Sequence, residues 1–188
     1  ADKNEQTKRM KEKDAAKKAI AELLGVDIAS VTSKMIDRYF LGELQGWKCL
    51  YSGKEINKEE CLGGSKAYEI DHIVPFSLIL DNTLNNKALV LTSENQLKKQ
   101  QTPLMYLSGE RRKNFIGTVN ELFRAKKIKK KKYAYLLQPD LNDEKMSEWK
   151  SRNLNDMRHI SRFMVGYLKE NLKFDNSSKS EGRWQNVY

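Results

Sequence analysis

The sequence predicts an α+β chain, mostly helical overall, in which a small β-containing centre is held between helical flanks. Three observations carry this. Residues 2–46 hold two helical patterns, residues 47–91 change to short β-prone runs separated by Gly- and Asn-containing turns, and the chain beyond Leu91 returns to helical patterning before a polar tail. At 188 residues, with 39% hydrophobic and 32% charged positions, one modest core with many solvated faces is the default.

From the N-terminus, Asp2 to Leu24 is Lys-, Glu- and Ala-rich, with Ala16, Ile20, Leu23 and Leu24 forming a thin apolar stripe, so this helical arm is expected to lean on something else. After Gly25 a second helix starts near Ser30 or Thr32. It runs through Met35, Ile36, Tyr39, Phe40 and Leu44 to a stop at Gly46. Strands are predicted over Lys48–Tyr51, Tyr68–Val74 and Ala88–Leu91, and a short helix with Ser93 as candidate N-cap follows the last of them. The central order is strand, long loop, strand, helix. Helices are then predicted over Arg111–Lys126, Tyr133–Leu137, Glu144–Lys150 and Leu154–Leu172. In the last of these Met157, Ile160, Met164, Leu168 and Leu172 recur at spacings of three and four as a core-facing stripe, and residues 175–180 read as a loop or linker.

Lys and Arg number 35 against 25 Asp and Glu, a formal charge of +10, which favours an anionic partner such as nucleic acid but also suits Lys-rich helices that keep a chain in solution. The run Lys126 to Lys132 fits either a phosphate-tracking segment or a solvated loop. Apolar stretches such as Ala88–Leu91 fall far short of the ~20 residues that span a bilayer, and the charged N-terminus is unlike a signal peptide, so a cytoplasmic protein without a membrane partner is expected. Cys49 and Cys61 are the only cysteines and form no C-x-x-C pair. Structural zinc is therefore rejected, and reduced core thiols are expected, although the proximity of the two cysteines leaves a bridge sterically possible.

The candidate chemistry lies in the run Tyr68-Glu69-Ile70-Asp71-His72-Ile73-Val74-Pro75. Neighbouring side chains on a strand point to opposite faces unless the strand ends, and Pro75 predicts such an ending. Asn86 and Asn95 follow His72 by 14 and 23 residues (86 − 72 and 95 − 72). An Asp-His pair at a strand end is by itself weak evidence of chemistry; what the family resemblance of this stretch implies is phosphodiester hydrolysis, which needs an activated water, neutralisation of charge on the phosphate and help for the leaving oxygen. A neutral imidazole at His72 can take the proton from water. A hard divalent cation, most naturally Mg²⁺ with Mn²⁺ as substitute, prefers oxygen ligands and keeps several waters, so Asp71 and Asn95 make an adequate protein share.

The His, Asn, Asn order and spacing resemble the HNH, or ββα-metal, nucleases. The wider text, "CLYSGKEI" and "YEIDHIVPFSLILDNTLNNKALVLTSENQLKKQQTP", resembles the HNH domain of type II CRISPR-associated RNA-guided endonucleases, nearest in its Cys-x-Tyr-Ser-Gly start and its "NQLKKQQTP" to the compact type II-C branch. "RNLNDMRHISRF", from Arg152 to Phe163, resembles the segment that leads these enzymes back into their RNase H-like nuclease domain. The resemblance implies an HNH core over residues 47–108, linker helices over 1–46, a helical extension over 109–151 and a C-terminal linker helix and tail over 152–188. It also implies a bacterial enzyme with one metal ion, which cuts the DNA strand paired to guide RNA in antiviral defence.

By the same resemblance Asn86 supports the loop that orients His72, with no contact to the reacting atoms. Lys98, one turn beyond Asn95, is a candidate support and phosphate contact, and Lys99 a second nucleic-acid contact. The implied partners are the guide RNA–DNA heteroduplex, the rest of a parent endonuclease, and a phage anti-CRISPR protein of the kind that targets this domain. His159, away from the motif, reads as structural or exposed, and Asp81 and Glu94 as caps or dipole partners. Two rivals stand beside this reading. One is a free-standing HNH endonuclease of the homing or restriction type. The other is a basic nucleic-acid-binding module in which Asp71, His72 and Asn95 do no chemistry.

Overall fold

A computed structural model describes residues 3–171. Helix α1 (Lys3–Leu24) buries Ala16, Ile20 and Ala21 against Val31, Ile36 and Leu62, so the arm leans on the helices that follow it in the same chain. Helix α2 (Ser33–Gln45) opens with Thr32, whose side chain accepts from the Met35 N–H, and stops at Gly46, whose φ of 64° is the left-handed value at which glycine ends helices without strain. Trp47 then folds back so closely on Gly42 that a Cβ there would lie 2.7 Å from its ring. Helix α3 (Lys58–Leu62) follows, its N-terminus capped by the Asn57 side chain.

The sheet has two antiparallel strands, β1 (Tyr68–His72) and β2 (Lys87–Leu91), in a register that sets Tyr68 opposite Leu91 and His72 opposite Lys87. The strand predicted at Lys48–Tyr51 is absent. The chain there makes a tight turn with a single bridge between Lys48 and Glu55, because Gly53, at φ 71°, reverses it before a ladder can form. β1 also stops two residues short of Val74, because the Ile73 and Val74 N–H groups go to the Asn86 carbonyl and side chain instead of a partner strand. Between the strands lie α4 (Phe76–Ile79) and a 3-10 turn at Leu84–Asn86.

Helix α5 (Thr92–Lys98) leaves β2 directly, so the strand, loop, strand, helix order holds. Its first residue is Thr92, which places Ser93 inside the first turn instead of at the N-cap. Helices α6 (Pro103–Tyr106), α7 (Gly109–Arg124), α8 (Lys130–Leu136) and α9 (Asp143–Asn171) complete the chain. One apolar cluster runs from Cys49 and Tyr51 through Ile73, Leu89 and Val90 to Phe115, Val119, Leu136 and Trp149, so the helices after the ribbon share its core. Both cysteines are buried thiols.

Three further expectations are corrected. The two predicted C-terminal helices are one: Asn153 is buried, donates to the Ile79 carbonyl, and carries α9 through the suspected break. The stripe Met157, Ile160, Met164 and Leu168 faces solvent, at 41–61% exposed, because α9 extends past the end of the core; Leu172 and the predicted tail lie outside the described residues. The Lys126–Lys132 run is no simple loop, since Ile128 and Lys132 are buried and α8 begins at Lys130. Among the described residues no helix is long and apolar enough to cross a membrane.

Candidate active site

The end of the ribbon and the start of α5 enclose an open cleft of about 450 Å³, whose lining includes Asp71, His72, Phe76, Asn95 and Lys99. Asp71 and His72 are neighbours on β1 and reach the same cleft because the strand ends at His72.

Asp71 is 7% exposed. Its Oδ2 accepts from the Tyr51 hydroxyl at 2.5 Å and from Lys98 Nζ at 2.9 Å. Burial pushes the carboxyl up from its ordinary value, against the pull of the Lys98 charge and the Tyr51 hydrogen bond. Burial, with the Asp71 charge beside it, likewise holds the Tyr51 hydroxyl protonated far above its ordinary range. Tyr51 is thus a fixed donor that aims the carboxylate. In the sequence it reads as one more apolar residue before the Ser52-Gly53 turn, and nothing about it signals that role.

His72 Nε2 lies 3.1 Å from Asn82 Oδ1, and its ring stands 5.5 Å from that of Phe76. With the amide oxygen accepting, Nε2 carries the hydrogen and Nδ1 is the basic nitrogen. Asn82 is a second contact that sequence reasoning missed; its place in the Asp-Asn-Thr turn marked it only as a loop residue. Asn86 is fully buried. Its side chain accepts from the Val74 N–H and donates to the Val74 and Asp81 carbonyls, and its own carbonyl accepts from the Ile73 N–H. Three of these bonds hold the backbone immediately after His72, and the fourth ties Asn86 to Asp81.

Asn95 Nδ2 donates to Glu69 Oε2 at 2.6 Å, so the amide nitrogen is engaged and the oxygen is the atom that could serve as a ligand. The helix beneath is anchored by Glu94, which accepts from Tyr106 and Arg111, and is therefore a buried tie and not a dipole partner in solvent. Asp81 is another internal tie: buried, it accepts from Thr83, Tyr135 and Lys131. Lys98 departs from the expectation that it meets a phosphate. It is 1% exposed, and its ammonium is engaged by Asp71 and the His72 carbonyl. Lys99 is the exposed lysine of the pair and lines the cleft, turned there by a backbone φ of 52° at the end of α5. His159 is exposed on α9, away from the cleft.

Among the described residues no three His, Cys, Asp or Glu side chains converge on a point, so any cation in this cleft rests on few protein ligands. One carboxylate and one amide oxygen fit a hard, water-retaining divalent ion and would suit zinc poorly. A cation held by Asp71 would share that carboxylate with Lys98, whose ammonium already lies 2.9 Å from Oδ2.

A family model described as HNH endonuclease matches residues 49–104, the stretch that contains both strands, α5 and every residue of the cleft. Over 143 residues the chain is 36% identical to the CRISPR-associated endonuclease Cas9 of Staphylococcus aureus, a match covering 72% of this chain and 14% of that one. The chain belongs to the HNH endonuclease family. It is also 35% identical over 132 residues to Cas9 1 of Streptococcus thermophilus, covering 69% of the chain and 12% of the relative. A crystal structure of Streptococcus thermophilus Cas9 in complex with AGGA PAM superposes with a TM-score of 0.64 at 30% identity, over 89% of this chain and 17% of that one. The HNH chain therefore spans about a seventh of the curated Cas9 relatives it matches.

Proposed function

We propose that this HNH domain hydrolyses the DNA strand paired to a guide RNA, as one nuclease centre of a longer RNA-guided endonuclease, with His72 as general base and Asp71 and Asn95 holding one divalent cation. The observation that carries the reading is the convergence of Asp71, His72 and Asn95, from two separated stretches of sequence, on one solvent-open cleft.

The residues divide the work. His72 Nδ1 takes the proton of the attacking water, while Asn82 on Nε2 keeps the ring turned to receive it. Asn86 fixes the backbone from which His72 projects. Tyr51 and Lys98 hold the Asp71 carboxylate, and Glu69 holds the Asn95 amide, so both oxygens are oriented before substrate arrives. Lys99 meets the phosphate backbone at the rim. A bound Mg²⁺, or Mn²⁺ in its place, supplies charge neutralisation at the phosphate and the leaving oxygen.

The partners in this reading are the guide RNA–DNA duplex, the remainder of a bacterial, cytoplasmic parent protein, and a phage inhibitor able to cover the cleft. A free-standing endonuclease is less well supported, because the matched relatives extend far beyond this chain and α9 presents an apolar face suited to further protein.

In the parent endonuclease, His72→Ala is expected to abolish cutting of the guide-paired strand while guided DNA binding and cutting of the other strand persist. Strand-specific end-labelled substrates read this directly. Retained cleavage of the guide-paired strand removes His72 from the base role.

A further inference from the structure

Lys132 is a lysine where a core residue belongs. It projects from α8 into the interior, 3% exposed, and among the described residues no acidic side chain is bonded to it: the neighbouring Lys131 takes Asp81, and Lys87 pairs with Asp37. Instead Lys132 Nζ donates to two backbone carbonyls, those of Leu84 at 2.9 Å and of Lys87. Burial pushes its ammonium down to about 7, and a neutral amine still offers two N–H groups for two carbonyls, so the contact survives either charge state. A leucine or methionine would fill the same volume but remove the donor from both carbonyls, leaving that of Lys87 without a partner while that of Leu84 keeps the Lys87 N–H.

The place of those carbonyls gives the contact its meaning. They flank Asn86 on either side, at the 3-10 turn and at the first residue of β2. Asn86 in turn holds the N–H groups of Ile73 and Val74, the two residues after His72. Lys87 is also the ladder partner of His72. A single side chain from α8 thus grips the turn on which the His72 backbone rests.

We propose that Lys132 is a positioning residue for His72, holding the Leu84 and Lys87 carbonyls so that Asn86 keeps Ile73 and Val74, and with them the imidazole, in place. The inference rests on His72 being the general base, and its test is separable from that of the base itself.

The variants are Lys132→Met, of similar length without a donor, and Lys132→Arg, which keeps donors. In the guide-loaded parent endonuclease, Lys132→Met is expected to slow single-turnover cutting of the guide-paired strand by about 10-fold or more, since misplacement by about 1 Å can cost 10²-fold. Guided DNA binding and cutting of the other strand should hold, and Lys132→Arg should recover part of the rate. Amide exchange provides a readout independent of catalysis: in Lys132→Met, Ile73 and Val74 should exchange about 10-fold faster relative to Leu89. Unchanged exchange at Ile73 and Val74, or faster exchange with undiminished cutting, overturns the proposal. If Lys132→Met does not fold, the unaltered protein decides. Under mild denaturant Ile73 and Val74 should then open together with α8, and independent opening of α8 overturns the link. Loss of cutting in His72→Ala alongside full cutting in Lys132→Met would sink this inference alone, whereas cutting that survives His72→Ala removes the base on which it rests.

Discussion

At the scale of single residues, Asp71 is defined by its neighbours. A carboxylate this buried is stable only with charge and hydrogen-bond partners, and Tyr51 and Lys98 provide both. Tyr51→Phe removes the fixed donor without changing volume much. It is expected to weaken Mn²⁺ binding by about 10- to 100-fold, the usual cost of losing a residue that orients a metal ligand, as measured by calorimetric titration of the domain. Equal affinity in the two proteins would deny Tyr51 that role. His72, Asn86 and Asn95 are singled out by a spacing that resembles the HNH nucleases, since a histidine at a strand end and an asparagine at a helix start are by themselves ordinary surface and cap residues; the fold brings Asp71, His72 and Asn95 to one cleft and buries Asn86 beside it. Tyr51, Asn82 and Lys132 were not legible. What each does is set by a partner 20, 10 and 45 to 48 residues away, and its own type is that of a core aromatic, a turn amide or a charge run. Lys98 is expected from sequence both as a support and as a phosphate contact; its burial against Asp71 agrees with the first, and the helix period gives its face but not whether that face is covered.

At the scale of elements, the outer edge of β2 is closed by a side chain where a third strand was expected. Gln45, at the end of α2, accepts from the Leu89 N–H and donates to the carbonyls of Leu89 and Lys48. The amide mimics a strand and covers an edge that would otherwise invite pairing. Gln45→Leu keeps the volume and leaves the Leu89 N–H and the Lys48 carbonyl without this partner, while the Leu89 carbonyl keeps the Leu50 N–H, so a loss of about 2–6 kcal/mol is expected at one to three per unpaired group, read from urea unfolding with an unchanged m-value. A change under 0.5 kcal/mol, the scatter of ordinary surface substitutions, would show that water satisfies them. The sequence predicted a strand at Lys48–Tyr51 because its residues suit one. The glycine reversal at Gly53 and the competing glutamine, 44 residues from its β2 partner, decided otherwise.

At the scale of the whole molecule, α9 changes character along its length. Its first half is core, with Trp149 8% exposed against Tyr135, and its second half carries an uncovered apolar face. In the isolated domain Trp149→Ala should cost about 3–5 kcal/mol, whereas Ile160→Glu should stay within about 0.5 kcal/mol, both read from denaturant unfolding. A large cost for Ile160→Glu would mean that the stripe is covered in solution. Stability also follows pH through Lys132. Its folded value of about 7 lies below the ordinary 10.5, so below pH 7 both states are protonated and the fold bears the full cost of the buried charge. Between those values the unfolded chain holds a proton that the folded one lacks. Stability therefore rises with pH across that window, by at most about 1.4 kcal/mol per unit, and the rise should appear in the difference between the unaltered domain and Lys132→Met, which lacks the titrating group; a pH-independent difference would deny it. A two-stranded ribbon of five-residue strands has little rigidity of its own. The firmness of the cleft is borrowed from the helices clasped around it, and the bond from Asn153 to the Ile79 carbonyl gives a displacement of α9 a direct route toward the loop beside the imidazole.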